Sequence, residues 1–260
     1  MNKILLAAFL LLLAGGLFAQ KDSSASPGVS IVDTAQKQEL VVSDGAKKPK
    51  KKYNLSNRAN DHFMLQLGYT NWLNIPDSIG TKGFSRSINA YFMFDLPFKE
   101  TPQLSAGLGL GIGSDHVFLD DDNFADVKAS TSTLKFESSS SATIKKTKVV
   151  TTYLEAPIEL RYTVDPEHSD KSFKTAVGVK VGTMLKGGTR SRITESGSQS
   201  NYLLKEYSKY FFNTTRVVGT ARIGYGHFSL FGTYQFTSLL KTGMGPQLRP
   251  FTAGISLGGL

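Results

Sequence analysis

The strongest constraint on the fold is an alternation of apolar residues with polar or small ones, which recurs along the chain after residue 61. The stretch 104–116 shows it most clearly, because apolar residues occupy alternate positions and glycine or serine lies between them. Those apolar residues are Leu104, Ala106, Leu108, Leu110 and Ile112. A period of two places successive side chains on opposite faces of a β-strand. The stretch therefore predicts a strand with one apolar face.

Seven further stretches share this alternation, which gives eight predicted strands. The eight stretches are 62–73, 84–96, 104–116, 148–164, 172–185, 210–225, 228–237 and 248–258. Each has about nine or more residues, enough to cross a bilayer at a strand tilt near 45°. An even number of such strands is typical of bacterial outer-membrane barrels. The sequence predicts an all-β fold, an eight-stranded antiparallel up-and-down transmembrane β-barrel over residues 61–260.

The predicted connections alternate in length. The links 97–103, 165–171 and 226–227 are short, whereas 117–147 and 186–209 are long. Outer-membrane barrels have short periplasmic turns and longer external loops, so we expect the two long links to be mobile loops outside the cell. The alternative is a soluble up-and-down barrel, such as a lipocalin, whose apolar face points inward. A face rich in Gly, Ser and Thr, together with export, favours the membrane.

The first 60 residues differ in character from the rest. Residues 1–19 combine Lys3 with an apolar run and Ala19, which predicts a secretory signal peptide cleaved before Gln20. Residues 20–60 are rich in Ser, Lys, Asp and Gln and are predicted to form a disordered periplasmic tail. The tail carries a basic cluster of Lys47, Lys48, Lys50, Lys51 and Lys52. This cluster indicates either a contact with anionic head groups or another periplasmic polyanion, or a solvated linker.

Composition narrows the choice of partners and chemistry. The chain has no cysteine, which excludes disulfides, cysteine nucleophiles and cysteine-ligated metals. Its formal net charge is +9, but export to the cell outer membrane argues against nucleic acid as the counter-charge. Outer-membrane lipids and lipopolysaccharide are the expected partners, with envelope proteins as further candidates. No cofactor is expected.

Two motifs resemble a known family. The run Tyr153-Leu154-Glu155-Ala156-Pro157-Ile158-Glu159-Leu160-Arg161-Tyr162 is one of them. The other is the closing hairpin, where Tyr234-Gln235-Phe236 precedes Leu248-Arg249-Pro250-Phe251. Over about residues 60–260 the chain resembles the outer-membrane β-barrel proteins of Bacteroidota known as the PorT family. The resemblance implies an eight-stranded barrel without a catalytic signature; one branch of that family serves a secretion and gliding system.

The polar face of the predicted barrel carries charged residues. They are Asp95, Glu155, Glu159, Arg161, Lys180, Arg216 and Arg222. Because an eight-stranded barrel has room inside for side chains but not for an open pore, we expect these charges to form a salt-bridged lumen network. Alternatives are a gated path for protons or solutes and an acid–base pair of Glu155 with Glu159. Four residues of strand separate that pair by about 13 Å, too far for direct cooperation.

Other candidate sites are weaker. Ser114, Asp115 and His116 contain the residue types of a hydrolytic triad, but adjacent residues of a strand point to opposite faces. Acidic residues near 120–126 could supply oxygen ligands for Ca²⁺, but they lack the glycine and distal glutamate of an EF-hand loop. We therefore expect no catalytic residue and no metal site.

The leading hypothesis is a non-catalytic outer-membrane barrel that displays surface loops, with a structural, binding or assembly role. A small-solute conduit is the alternative, and a lipid-modifying outer-membrane enzyme is the third.

Overall fold

A computed structural model of the chain describes residues 63–120, 123–127, 131–138, 144–194 and 201–258. The predicted signal peptide, the predicted tail and its lysines between 47 and 52 lie outside the described residues, as do Asp121 and Asp122. Within the described part of the chain, no helix has the length and apolarity needed to span a membrane.

The described residues contain eleven strands and one short 3-10 turn. The strands are β1 Phe63–Leu73, β2 Arg86–Pro97, β3 Leu104–Phe118, β4 Asn123–Ala125, β5 Phe136–Ser138, β6 Ile144–Thr163, β7 Phe173–Thr194, β8 Asn201–Tyr207, β9 Thr215–Tyr225, β10 Phe228–Gln235 and β11 Arg249–Leu257. The 3-10 turn is Ser169–Lys171. Eight of these strands form one antiparallel sheet in the order β1, β2, β3, β6, β7, β9, β10, β11.

The sheet closes on itself. β1 pairs with β11 from Leu65 opposite Leu257 to Leu73 opposite Arg249. Because the first and last strands of the ring pair, the eight strands have no free edge within it, which is the condition for backbone to cross lipid. The predicted eight-stranded antiparallel barrel is confirmed.

The two faces of the ring differ in chemistry. Large apolar side chains point outward and are exposed, as Leu230 (62%) and Ile158 (51%) illustrate. Their strand neighbours Ser229 and Glu159 point inward and are buried. This arrangement is the reverse of a soluble barrel, in which apolar side chains fill the interior. It suits a barrel whose outer surface meets hydrocarbon.

One end of the barrel carries only short connections. The turn between β9 and β10 is Gly226-His227, and Gly226 has a φ of 59°, which glycine adopts without strain. In the turn between β6 and β7, His168 lies 3.0 Å from the carboxylate of Asp165. This hydrogen bond holds the pKa of Asp165 below its usual value. By the short-turn rule this is the periplasmic end.

The opposite, outer end departs from the predicted mobile loops. The link 117–147 contains the β4–β5 hairpin and the first residues of β6. The link 186–209 contains the end of β7 and all of β8, which pair with each other. The predicted loops therefore contain strands in these parts, because backbone pairing continues beyond the ring.

The sixth predicted strand also begins too early. The alternation predicts its start at residue 210, whereas β9 begins at Thr215. Phe211 and Phe212 are fully buried and belong instead to an apolar cluster at the outer end. Their apolar character resembles that of a strand, but tertiary contacts determine their conformation.

That cluster, here called the apolar cap, closes the outer end of the lumen. It consists of Trp72, Ile79, Val117, Leu119, Ala125, Val127, Leu134, Val149, Tyr153, Met184, Phe211, Phe212, Leu239, Leu240 and Leu248. Several members are inward-facing strand residues and the others come from the outer links. Backbone hydrogen bonds join these links, for example from Leu134 N to Met244 O at 2.9 Å and from Lys241 N to Phe211 O at 2.9 Å.

Candidate functional site

The charged residues predicted for the lumen all lie on barrel strands. Glu155, Glu159 and Arg161 occupy alternate positions of β6, so one face of that strand presents all three inward. Lys180 lies on β7, and Arg216 and Arg222 lie on β9. Asp95 lies near the periplasmic end of β2. The residues divide into two layers along the barrel axis.

The outer layer centres on Glu155. Its carboxylate accepts a hydrogen bond from Arg216 Nε at 2.5 Å and another from the Tyr91 hydroxyl at 2.5 Å. Arg216 Nη1 donates in addition to Asp115 at 2.7 Å. Lys180 Nζ donates to Tyr91 at 3.1 Å. The two carboxylates and two cations of this layer cancel in formal charge.

The inner layer, nearer the periplasm, centres on Glu159. Arg222 and Arg161 both donate to the same carboxylate oxygen of Glu159, the latter from Nη2 at 3.2 Å. Arg161 Nη1 reaches Asp95 at 3.5 Å. Each of these four charges thus has an opposite partner. Such pairing offsets the large cost of taking a charge out of water.

Small residues make room for these side chains. A Cβ added to Gly113 would lie 2.6 Å from Arg216 Nη2 and 2.8 Å from a Glu155 oxygen. The inward glycines of β3 therefore leave the space that the guanidinium and carboxylate groups fill, as expected for a barrel this narrow.

A small cavity lies in the lumen. The cavity beside the outer layer measures about 20 Å³, close to the space that one water molecule needs. Its lining is mainly polar and includes Asn89, Tyr91, Lys180 and Thr252. The arrangement can hold ordered water and bury charge, but it leaves no continuous channel at this point.

A cation–π contact joins the charged layers to the apolar cap. The guanidinium of Arg216 lies 3.9 Å from the ring centroid of Tyr153, a member of the cap. The Tyr153 hydroxyl donates to the backbone oxygen of Asn213 at 3.3 Å, in the link before β9. The lumen network and the outer links are thus connected through one aromatic ring.

The structure separates the groups that catalysis would need to bring together. Glu155 and Glu159 each bind different arginines and do not share a site. The Ser114 hydroxyl lies 3.3 Å from His116 Nε2, but Asp115 points inward to Arg216. The triad residue types are therefore split across the barrel wall. Among the described residues, no group of three or more His, Asp or Glu side chains could hold a metal ion.

The sequence prediction omitted several members of the network. Tyr91 and Gln66 both accept hydrogen bonds from Lys180, and Asp115 pairs with Arg216. Tyr91 alternates with apolar residues in the predicted strand 84–96, in phase with Asn89 and Asp95, and this is the sequence signal for its inward position. The sequence associates Asp115 only with its neighbours Ser114 and His116, and no local pattern indicates its pairing with Arg216.

The comparison with protein families decides the identity of the fold. Residues 34–242 match the model of a family described as "outer membrane protein beta-barrel domain". The chain belongs to this outer-membrane β-barrel family. The matched residues end before β11. β11 nevertheless pairs with β1 and completes the ring of eight strands. No curated protein matches the chain.

Proposed function

We propose that this outer-membrane barrel is a closed, non-catalytic binding platform that holds structured strands and links above the membrane. The observation that carries the proposal is the apolar cap, which fills the outer end of the lumen with buried side chains such as Trp72, Phe211 and Phe212. A cap of this kind excludes water from the path that a dissolved solute would take.

The lumen beneath the cap supports the same proposal. Its charged layers are fixed by ion pairs between strands, and the cavity beside the outer layer, about 20 Å³, is close to the space that one water molecule needs. A conduit would have to break these ion pairs and displace the cap as well. The binding partners that fit such a platform are outer-membrane lipids, lipopolysaccharide and envelope proteins.

A small-solute conduit is the second candidate. The mainly polar lining of the lumen cavity favours it, because a polar interior is typical of conducting barrels. Conduction would then depend on movement of the cap.

A lipid-modifying enzyme has less support, since Asp115 is separated from Ser114 and His116 by the barrel wall.

The finer family placement is also a proposal. The runs 153–162 and 219–258 support a PorT-like barrel of Bacteroidota, exported with residues 1–19 removed. A mature amino terminus at Gln20 in protein purified from outer membranes would support export, and a retained Met1 would contradict it.

Single-channel recording tests the closed barrel. The full-length protein is refolded into planar bilayers, and folding is checked by the heat-modifiable shift in electrophoresis. We expect no stable conductance steps above the leak, because the cap and the ion-paired layers block the lumen. A general porin in the same bilayers serves as the positive control. Reproducible steps from the folded protein would contradict the closed barrel and favour the conduit.

A further inference from the structure

Three strands extend beyond the ring at the outer end. β7 pairs with β9 only as far as Thr183 opposite Thr215. Beyond this point β7 continues to Thr194, pairing with β6 on one side and with β8 on the other. The extension is therefore a three-stranded sheet with the order β6, β7, β8, and it rises above the membrane-facing part of the barrel.

Basic residues gather on one face of this extension. Lys148 pairs with Arg190, and Lys146 pairs with Arg192, so the side chains of each pair share a face of the sheet. Lys186 lies on the same face of β7, opposite Thr152. We call this set the outer basic patch: Lys146, Lys148, Lys186, Arg190 and Arg192.

The patch faces away from the barrel axis. On β6, Lys146 and Lys148 share the even-numbered positions of Ile158 and Leu160, which point toward lipid. A register shift between Thr152 and Tyr153 moves the even-numbered positions of β7 onto that outward face as well. The basic side chains thus continue the lipid-facing surface upward.

The patch surrounds a pocket. This pocket measures about 220 Å³ and is lined by Phe118, Lys146, Thr147, Lys148, Arg190, Arg192 and Leu203. Phe118 and Leu203 supply apolar walls, and the Lys148 ammonium lies 5.1 Å from the Phe118 ring centroid. The pocket is roughly ten times larger than the lumen cavity of about 20 Å³. It combines cations with apolar surface, which suits an amphipathic anion.

The positive charge of the patch is not neutralised within the described residues. In that part of the chain, none of its five cations forms an ion pair with a carboxylate. Tyr207 on β8 lies among them, with its hydroxyl 3.2 Å from Arg190 Nε and its ring centroid 3.8 Å from Lys186 Nζ. Burial raises the pKa of Tyr207, but hydrogen bonds from Arg190 and Lys186 outweigh it and lower that pKa below its usual value.

The height of the patch matches a lipid head group. Leu185 is the last exposed apolar residue of β7 before the patch, and Lys186 follows it directly. Arg190 lies five residues beyond Leu185, about 17 Å along the strand or about 12 Å above it at a 45° tilt. The patch therefore begins at the edge of the hydrocarbon layer and reaches through the head-group zone.

We propose that the outer basic patch binds the phosphate groups of a phosphorylated glycolipid in the outer leaflet. Arginine donates two parallel hydrogen bonds to phosphate, and lysine adds a point charge. The apolar side chains of Phe118 and Leu203 face the part of the lipid that carries no phosphate. This inference deepens the proposed binding role, and the conductance recording described above tests the closed barrel separately from it.

Lipid titration tests the inference. The full-length protein in detergent micelles is titrated with bisphosphorylated lipid A, and bound lipid is counted by native mass spectrometry. The double variant Lys148→Gln/Arg190→Gln removes two phosphate-facing cations, and we expect it to bind about 30-fold more weakly. The native protein and this variant should bind dephosphorylated lipid A with the same, weak affinity. The heat-modifiable shift verifies that each variant is folded.

A charge-matched control separates the patch from general electrostatics. Lys99→Gln/Lys171→Gln removes two exposed cations at the periplasmic end and should leave lipid A binding unchanged. If the patch variant does not fold, Arg192→Gln, an exposed position, should weaken binding about fivefold. Equal binding of phosphorylated and dephosphorylated lipid A by the native protein would overturn the inference. So would displacement of the glycolipid by millimolar inorganic phosphate, which would indicate a site for free anions.

Discussion

Replacing Glu155 with alanine is expected to lower the free energy of unfolding of the barrel by about 3 kcal/mol. Glu155 is 1% exposed and binds Arg216 Nε and the Tyr91 hydroxyl, each at 2.5 Å. Its removal leaves Arg216 with Asp115 as the remaining carboxylate partner in the outer layer. It also removes the carboxylate that Tyr91 links to Lys180. A buried cation without a full set of partners destabilises the folded state more than the original pair stabilised it.

Denaturant titration in lipid vesicles measures this effect. Trp72 is the only tryptophan in the sequence and lies in the apolar cap, so its fluorescence reports unfolding of the native chain. The control is Asp77→Ala, which removes an exposed carboxylate from the link between β1 and β2. A Glu155→Ala variant within about 0.5 kcal/mol of that control would contradict the buried outer layer.

Replacing Phe212 with alanine is expected to cost about 3 kcal/mol and to loosen the apolar cap without opening the barrel. Phe212 is fully buried, and its ring lies directly over Gly187, where an added Cβ would sit 3.0 Å from Phe212 Cδ2. The truncation leaves a cavity among large side chains that the surrounding backbone can only partly fill. The ion-paired layers below remain, so the variant should stay non-conducting.

Two measurements detect the loosening of the apolar cap: the emission maximum of Trp72 and the rate of cleavage by a protease. In Phe212→Ala, the Trp72 emission should shift to longer wavelength, and cleavage in the outer links should accelerate, while the heat-modifiable shift persists. Tyr202→Ala removes an aromatic residue of comparable size that is 52% exposed, and it should change neither property. If both variants behave like the native protein, the cap does not contribute to the stability of the outer end.

The strands could be predicted from the sequence because their signal is local. In 104–116, for example, inward glycine or serine alternates with outward leucine. This alternation follows from the two faces of a single strand, one of which meets lipid. The ends of the strands depend on contacts made elsewhere. Phe211 and Phe212 continue an apolar pattern, but they turn into the cap, and β7 and β8 remain paired well beyond the predicted end at residue 185.

The members of the lumen network could be predicted, whereas their pairing could not. Glu155 and Arg216 are 61 residues apart, and the register of β6, β7 and β9 brings them together. No local pattern specifies that register. The outer basic patch was missed for a similar reason, because Arg190 becomes a neighbour of Lys148 only when β7 extends through a segment expected to be a loop.

Quenching by brominated phospholipids tests most directly whether the apolar face of the barrel meets hydrocarbon. Two single-tryptophan variants, Leu230→Trp and Phe231→Trp, are made in a Trp72→Phe background and refolded into vesicles. Leu230 points outward and is 62% exposed, whereas its neighbour Phe231 points inward and is 4% exposed. If the outward face meets hydrocarbon, we expect strong quenching of the tryptophan at 230 and much weaker quenching at 231. Equal quenching at both positions, or stronger quenching at 231, would contradict it.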